Sequence, residues 1–192
     1  MTAISNWTEL KKRLDFVVPP NHRVLPVPNE AILDAFEQRR QIKLPRSYRS
    51  FAKHVGAGMV SGYFGIAVPG YPGRKLDDLD RFDAYTHELK EVFVETFGDA
   101  EQFDRFLFFA KTFGGDYIAW DPADVRNRRS HEYGIYVLPR DEDKILFLAK
   151  SFLEFVTKVC LGKRWHAVIG GEYRPPKFTF EPVVEKIRRK GK

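Results

Sequence analysis

The side chains that do chemistry are present in this chain, but their spacing builds no catalytic motif. His87-Glu88 opens like the helical zinc site of a metalloprotease, yet the position that needs a second imidazole holds Glu91. Zinc requires both nitrogens on one helical face, so the segment makes no metal site. The five histidines (22, 54, 87, 131 and 166) include no pair at ligand spacing. Gly56-Ala57-Gly58 is a lone Gly-x-Gly with Ser61 where a third glycine would stand, and Gly162-Lys163 is followed by Arg164. Neither has the Ser or Thr, or the strand context, of a phosphate loop, and both read as helix C-caps. Asp78-Leu79-Asp80 and Asp141-Glu142-Asp143 lack the glycine and distal glutamate of a calcium loop. There is no Gly-x-Ser-x-Gly elbow, and the single Cys160 has no histidine partner. Carboxylate pairs meet only in the fold and stay open. Together these failures favour a binding protein over an enzyme, with no metal and no cofactor.

Charge is the stronger signal. The net charge is +6, but KIRRKGK at residues 186–192 supplies +5 of it. Between Asp77 and Asp104 ten acids face only Arg81 and Lys90, a net of −8, so the rest of the chain sums to +14. Such asymmetry bears on partners rather than on fold. Either patch suits a polar macromolecular partner, and a solvated helix face with a basic tail fits the same composition.

Elements must position these groups. Trp7, Leu10 and Leu14 fall on one side of a short helix ending before Pro19-Pro20, and PPNHRVLPVP after it reads as a linker. Asn29 suits the N-cap of a second helix with Ile32, Leu33 and Phe36 as its apolar stripe. That helix stops before Leu44-Pro45, because proline disfavours helical geometry in the residue ahead of it. Pro45 opens a third helix burying Tyr48, Phe51, Ala52 and Val55, which Gly56-Ala57-Gly58 terminates. Met59 to Val68 is a strand bent at Gly62 and Gly65. Tyr85, Leu89, Val92 and Phe93 predict one helix over 85–96, with Glu88, Glu91 and Glu95 together on another side. Phe106–Ala110 and Asp116–Asp121 form a hairpin around KTFGG, and Gly134–Leu138 with Lys144–Leu148 form another. Ser151 and Glu154 make a capping box ahead of Phe152, Phe155, Val156 and Val159, a helix that Gly162 closes. Beyond it one strand is expected at Lys177–Phe180, then the basic end. Helices, then strands, then a closing helix argue for an α+β fold.

Hydrophobic residues make up 43% of the chain, enough for a packed core, yet no stretch approaches the roughly 20 apolar residues of a membrane span. The start, MTAISNWTELKKRLDF, has no apolar signal core, and one cysteine excludes an intrachain disulfide. A cytoplasmic protein is expected, with Cys160 an inert core thiol.

Three motifs in order resemble the SUKH superfamily, which includes the yeast cell-wall-synthesis regulators of the Smi/Knr type and many bacterial immunity proteins. FEQRRQIKLPRSYRSFAKHVGAG is similar to that family's opening helix with a glutamate (Glu37), its Leu-Pro pair (Leu44-Pro45), an aromatic helix (Tyr48, Phe51) and a glycine turn. The family often has Asn-Gly at that turn, where this chain has Gly56-Ala57. FLFFAKTFGGDYIAWD resembles the family's strand–Gly-Gly-Asp–strand unit, carried by Gly114, Gly115, Asp116 and Asp121. IYVLPRDEDKILFLAKSFLEFVTKVCLG looks like its ending, with Ser151-Phe152 and Glu154-Phe155 in the final helix. The division expected is an N-terminal helix and linker at 1–27, a SUKH-like domain at 28–162, and an extension with a basic tail at 163–192.

The resemblance implies a curved, mostly antiparallel sheet flanked by helices, and a protein partner. Bacterial members typically neutralise a cognate toxin, often a nuclease, by stoichiometric binding. A nuclease cleft is basic, so an inhibitor should present carboxylates: Asp77, Asp78, Asp80, Glu88, Glu91 and Glu95 are the candidates. A second candidate surface is Asp116, Tyr117, Trp120 and Asp121 with Tyr71, since aromatic anchors commonly carry interface energy; core packing is the competing reading. The alternative function is an intracellular signalling or assembly scaffold of the Smi/Knr type. Nucleic-acid binding through the basic tail with Arg126, Arg128 and Arg129 is the weakest reading, because no aromatic-interleaved basic strand accompanies it.

Overall fold

Apolar spacing at the start of the chain produces the helix it predicts. The computed structural model describes residues 7–170 and 178–187. Helix α1 (Trp7–Arg13) buries Trp7 and Leu10, and Leu14 just beyond it is also buried. The Trp7 ring lies 5.2 Å from Phe51 and 5.7 Å from Phe152, so this helix packs into the main core. Strands β1 (Asp15–Phe16) and β2 (His22–Val24) follow. The stretch expected to be a linker therefore holds a strand. Proline-flanked residues favour extended backbone, and β2 gains antiparallel partners in Val184–Lys186, which is remote in sequence.

Helix α2 (Glu30–Arg40) begins where Asn29 accepts a 3.0 Å hydrogen bond from the Ile32 N–H, the expected cap. Leu33 and Phe36 are fully buried, whereas Ile32 stays 38% exposed. Helix α3 (Arg46–His54) starts at Pro45 and buries Tyr48, Phe51 and Ala52 as expected. The single strand read over 59–68 is two, β3 (Gly58–Val60) and β4 (Phe64–Ile66), paired antiparallel. Ser61 (φ 54°) and Gly62 (φ 64°) are both left-handed, and two such residues in succession reverse the chain where a bend was expected.

The acidic segment departs further. In place of one helix there are α4 (Leu79–His87), α5 (Lys90–Phe97) and α6 (Ala100–Arg105), with a break at Glu88-Leu89. Helix α4 turns Leu79, Phe82, Asp83 and Thr86 inward, a stripe that periodicity missed because it counts only apolar residues. Strands β5 (Leu107–Thr112) and β6 (Tyr117–Asn127) form the expected hairpin, and β7 (Glu132–Leu138) with β8 (Leu146–Ala149) the next. Ser151 caps α7 (Phe152–Glu154) through a 3.2 Å bond from the Glu154 N–H. The Glu154 carboxylate closes back on the Lys150 N–H rather than on that of Ser151, one residue outside the capping box expected. From Phe155 to Cys160 the helix widens to π geometry, and α8 (Arg164–Ile169) follows it. Strand β9 (Thr179–Pro182) meets the strand expected near Phe180, and β10 (Val184–Lys186) pairs with β2. Lys177 and the basic tail from Arg188 to Lys192 lie outside the described residues.

These strands make one mostly antiparallel sheet in the order β1-β9-β3-β4-β5-β6-β7-β8, with β1 and β9 parallel, and the fold is α+β. Alternation along its central strands feeds two aromatic layers. Phe109 and Trp120 join Tyr48 and Phe152 under α3 and α7, with ring centroids 3.9 Å apart for Phe109–Trp120 and 4.8 Å for Tyr48–Trp120. Phe108 and Tyr117 face the other way, toward Phe82, Phe93 and Phe103 of α4, α5 and α6.

Buried carboxylates tie the layers together. Glu132 accepts the Ser47 N–H (3.1 Å), the Ser47 hydroxyl (2.8 Å) and the Phe152 N–H (3.1 Å), joining β7 to the first turns of α3 and α7. Asp83, fully buried, accepts the Phe108 N–H (2.8 Å) and pairs with Arg40. Glu37 accepts the Leu44 N–H (3.0 Å) and binds Lys43 and Arg49. Burial, the largest influence on Glu37, pushes its carboxyl up, but the bonds from Lys43, Arg49 and Leu44 outweigh it and leave it below the ordinary range. Glu154 is likewise lowered against its burial, by the Lys150 N–H and by Lys158 and Arg164.

Two outcomes are expected. Glu132→Ala leaves three donors without their acceptor and should cost about 3 kcal/mol of stability, read from the urea midpoint. Because Glu37 and Glu154 are lowered when folded, their contribution is complete above the reference value of 4.5 and is lost as pH falls through the lower folded values. The urea midpoint should therefore drop below pH 4.5, and a Glu37→Gln/Glu154→Gln variant should show a shallower drop.

Candidate partner-binding surface

The acidic residues divide into two groups once the fold is known. Asp78 is 7% exposed and caps α4, accepting N–H groups of Gly70 (3.1 Å), Tyr71 (2.9 Å) and Arg81 (3.3 Å). It ties the long loop after β4 to the helix, and so is an internal brace. Asp80 pairs with Arg39 and lies 4.0 Å from Arg40. Asp77 lies 3.8 Å from Arg74, and burial pushes its carboxyl up.

Glu88, Glu91 and Glu95 are exposed, and none has an ion-pair or hydrogen-bond partner among the described residues. On α5, Glu91 and Glu95 stand one turn apart on one side with Val92, at 64% exposure, beside them, and Glu88 sits at the C-cap of α4 just before the break. No residue of α5 is fully buried. The helix is held from below by half-buried Phe93 and Phe97, whose rings stack at 6.0 Å, and by Phe93 against Phe103 and Tyr117, both at 5.2 Å. An aromatic underside thus fixes a helix whose outer side is carboxylate and valine.

The second expected surface does not form. Trp120 has no exposed area and Tyr71 only 4%, because both fill the core, so neither serves as a surface anchor. The Trp120 Nε1 is buried without an acceptor, which fits core packing and no outward role. Asp116 is buried in its turn, accepting the Thr112 hydroxyl and, at 3.1 Å, the Arg140 N–H. Asp121 is buried too, accepting the Ala123 N–H (3.0 Å) and facing Arg105 at 3.5 Å. Tyr117 is half-buried between Phe82 and Phe93.

The same turn carries a residue that sequence reasoning passed over. Phe113, at its tip, is 81% exposed, the most exposed large apolar side chain among the described residues. Its backbone is nonetheless fixed: the Phe113 N–H donates to Tyr63 (2.8 Å), Thr112 N–H to Asp116 (2.9 Å), and Gly115 sits at φ 100°, where glycine is favoured. The signal was available in KTFGG, since a phenylalanine in a glycine turn cannot reach either face of the sheet. Tyr117 links the two features, pairing with Lys111 just before the turn and packing on Phe93 of α5.

Among the described residues no group of three His, Cys, Asp or Glu side chains could hold a metal, and no helix is long and apolar enough to cross a membrane. Burial raises the Cys160 thiol well above its ordinary value, so it stays protonated and unreactive.

The architecture is an α+β sheet with helices on both faces and an exposed carboxylate helix, α5. The sequence profile of the SMI1/KNR4 family (SUKH-1) matches residues 27–158, and the chain belongs to that family. Nothing among curated proteins or solved structures matches the chain significantly.

The division of the acids is measurable. Glu91→Lys and Glu95→Lys should change unfolding free energy by no more than about 0.5 kcal/mol, as exposed substitutions do. Asp78→Ala should cost about 2 kcal/mol in the same urea titration, because it uncaps α4 and frees two loop N–H groups.

Proposed function

We propose that this protein is a non-enzymatic immunity protein that neutralises a toxin domain, of the nuclease type, by one-to-one binding through the outer side of α5. The observation that carries the proposal is Glu91, Val92 and Glu95, exposed on a helix with no buried residue and preceded by exposed Glu88 at the end of α4, with no charge partner for the three glutamates among the described residues. Membership of a family that includes immunity proteins and Smi/Knr-type regulators supports a binding role. A nuclease must hold polyphosphate, so its cleft is basic, and carboxylates at that cleft both attract it and exclude wrong partners. Val92 and the fixed Phe113 supply the apolar contact that carriers of interface energy provide, and a turn rigid before binding loses little entropy on docking.

The test is co-expression with the polypeptide encoded immediately upstream, toxic domain included. Rescue of growth and a one-to-one complex by calorimetry are the expected results. Glu88→Lys/Glu91→Lys/Glu95→Lys should slow association about tenfold at low salt, with the difference shrinking as salt rises. Phe113→Ala should weaken the complex by about 2 kcal/mol, mostly through faster dissociation. Neither rescue nor complex with a demonstrably active toxin would remove that partner and favour a scaffold role.

A further inference from the structure

A second prepared surface lies on β6, β7 and β8 toward the β8 edge of the sheet, on the face that also carries Phe106 and Phe108. Phe147 of β8 stands opposite Tyr136 of β7, with ring centroids 5.5 Å apart, and both rings are half-buried. Two guanidinium groups from different elements converge on Phe147: Arg126 of β6 at 4.8 Å from the ring centroid and Arg164 of α8 at 5.8 Å. Each is aimed by a carboxylate. Asp124 accepts Arg126 Nε (2.8 Å) and the Tyr136 hydroxyl (2.7 Å), and Glu154 faces Arg164 at 3.4 Å. The arrangement depends on Gly134, where any Cβ would overlap the Asp124 carboxylate and lift Arg126 off the ring. Even so, the Arg126 and Arg164 side chains remain 41% and 36% exposed, with guanidinium donors to spare.

We propose that this face is a second protein-docking surface, on which Arg126 and Arg164 receive a carboxylate of an acidic partner segment beside the Phe147 ring. The charge count selects the occupant. Arg126, Lys158 and Arg164 face only Asp124 and Glu154, and Arg128 and Arg129, beside Arg126 in sequence, are exposed with no acidic partner among the described residues, so the positive charge is in excess and complements an acidic segment. A nucleic acid strand would need open ring faces for its bases, whereas here the ring is already met by guanidinium groups. Guanidinium forks match carboxylates in plane, and arginine with tyrosine is the composition of interface anchors. The surface does not depend on the toxin reading of α5.

The test is an NMR titration of the full chain, following the assigned arginine Nε–H signals. The probes are an N-acetylated octaglutamate peptide, inorganic phosphate and an octathymidylate. Octaglutamate should shift the Arg126 and Arg164 signals saturably, and phosphate at equal ionic strength should not. Arg126→Lys and Arg164→Lys, which keep the charge but lose the fork, should each weaken the peptide about fivefold, and the double variant more than tenfold. Unchanged thermal melts would show that these variants are folded, and the titration of the unmodified chain is decisive alone. Peptide shifts confined to other arginines would overturn the proposal. So would equal shifts by phosphate, marking a small-anion site, or tighter saturable binding of octathymidylate at these two residues, marking a nucleic-acid contact.

Discussion

A sheet covered by helices on both faces must join its layers through turns whose N–H groups are taken out of water, and each of those groups needs an acceptor. Here carboxylates supply them. Glu37 accepts Leu44, Asp78 accepts Gly70 and Tyr71, Asp83 accepts Phe108, Asp116 accepts Arg140, Glu132 accepts Ser47 and Phe152, and Glu154 accepts Lys150. In every case but one a buried acid holds the backbone of a turn or helix start; Asp83 instead holds strand β5 at Phe108. A charged acceptor makes a stronger hydrogen bond than a neutral one, and it tolerates burial only when its donors are all in place. The aromatic layers supply most of the apolar burial, but they are non-directional. The carboxylates fix which turn sits against which helix.

This use of acids alters the meaning of the charge distribution. The segment from Asp77 to Asp104 has a net charge of −8 in sequence, yet Asp78 and Asp83 are interior braces and Asp80 and Asp104 are paired with Arg39 and Lys90. What remains for a partner is a smaller set around α5, and its value lies in position. Glu91 and Glu95 form a short ordered row on a helix whose other side is pinned by Phe93, and Glu88 precedes it at the end of α4. An ordered row binds with less loss of conformational freedom than the same charges on a mobile loop.

Much of this architecture was legible in the sequence because its signals are local. Asn29, Pro45 and Ser151 act within one helical turn, and the two hairpins of the central sheet follow from short apolar runs around glycine or charged turns. What periodicity missed depends on residues distant in the chain. Asp83 turns inward because the Phe108 N–H and Arg40 wait there, and no spacing rule carries that information. The same holds for β2, which is a strand only because β10 pairs with it, and for the Asp124–Gly134 contact that aims Arg126. Gly114 and Gly115 form the turn read from the glycine pair, whereas Asp116, taken as a surface candidate, is buried in it, and the neighbouring Phe113 went unread.

The net charge of +6 stands against capture of a basic partner, and distance decides between the two effects. At physiological ionic strength charges separated by more than about 8 Å are largely screened. A partner approaching α5 therefore responds first to Glu88, Glu91 and Glu95 and only weakly to charges beyond that distance. Arg126 and Arg164 are each aimed by a carboxylate, Asp124 and Glu154, so at that surface short-range geometry acts together with the excess positive charge. One small domain can thus keep surfaces of opposite preference, provided each is presented by a rigid element. In this protein the buried carboxylates provide that rigidity, and the surface charges are left for recognition.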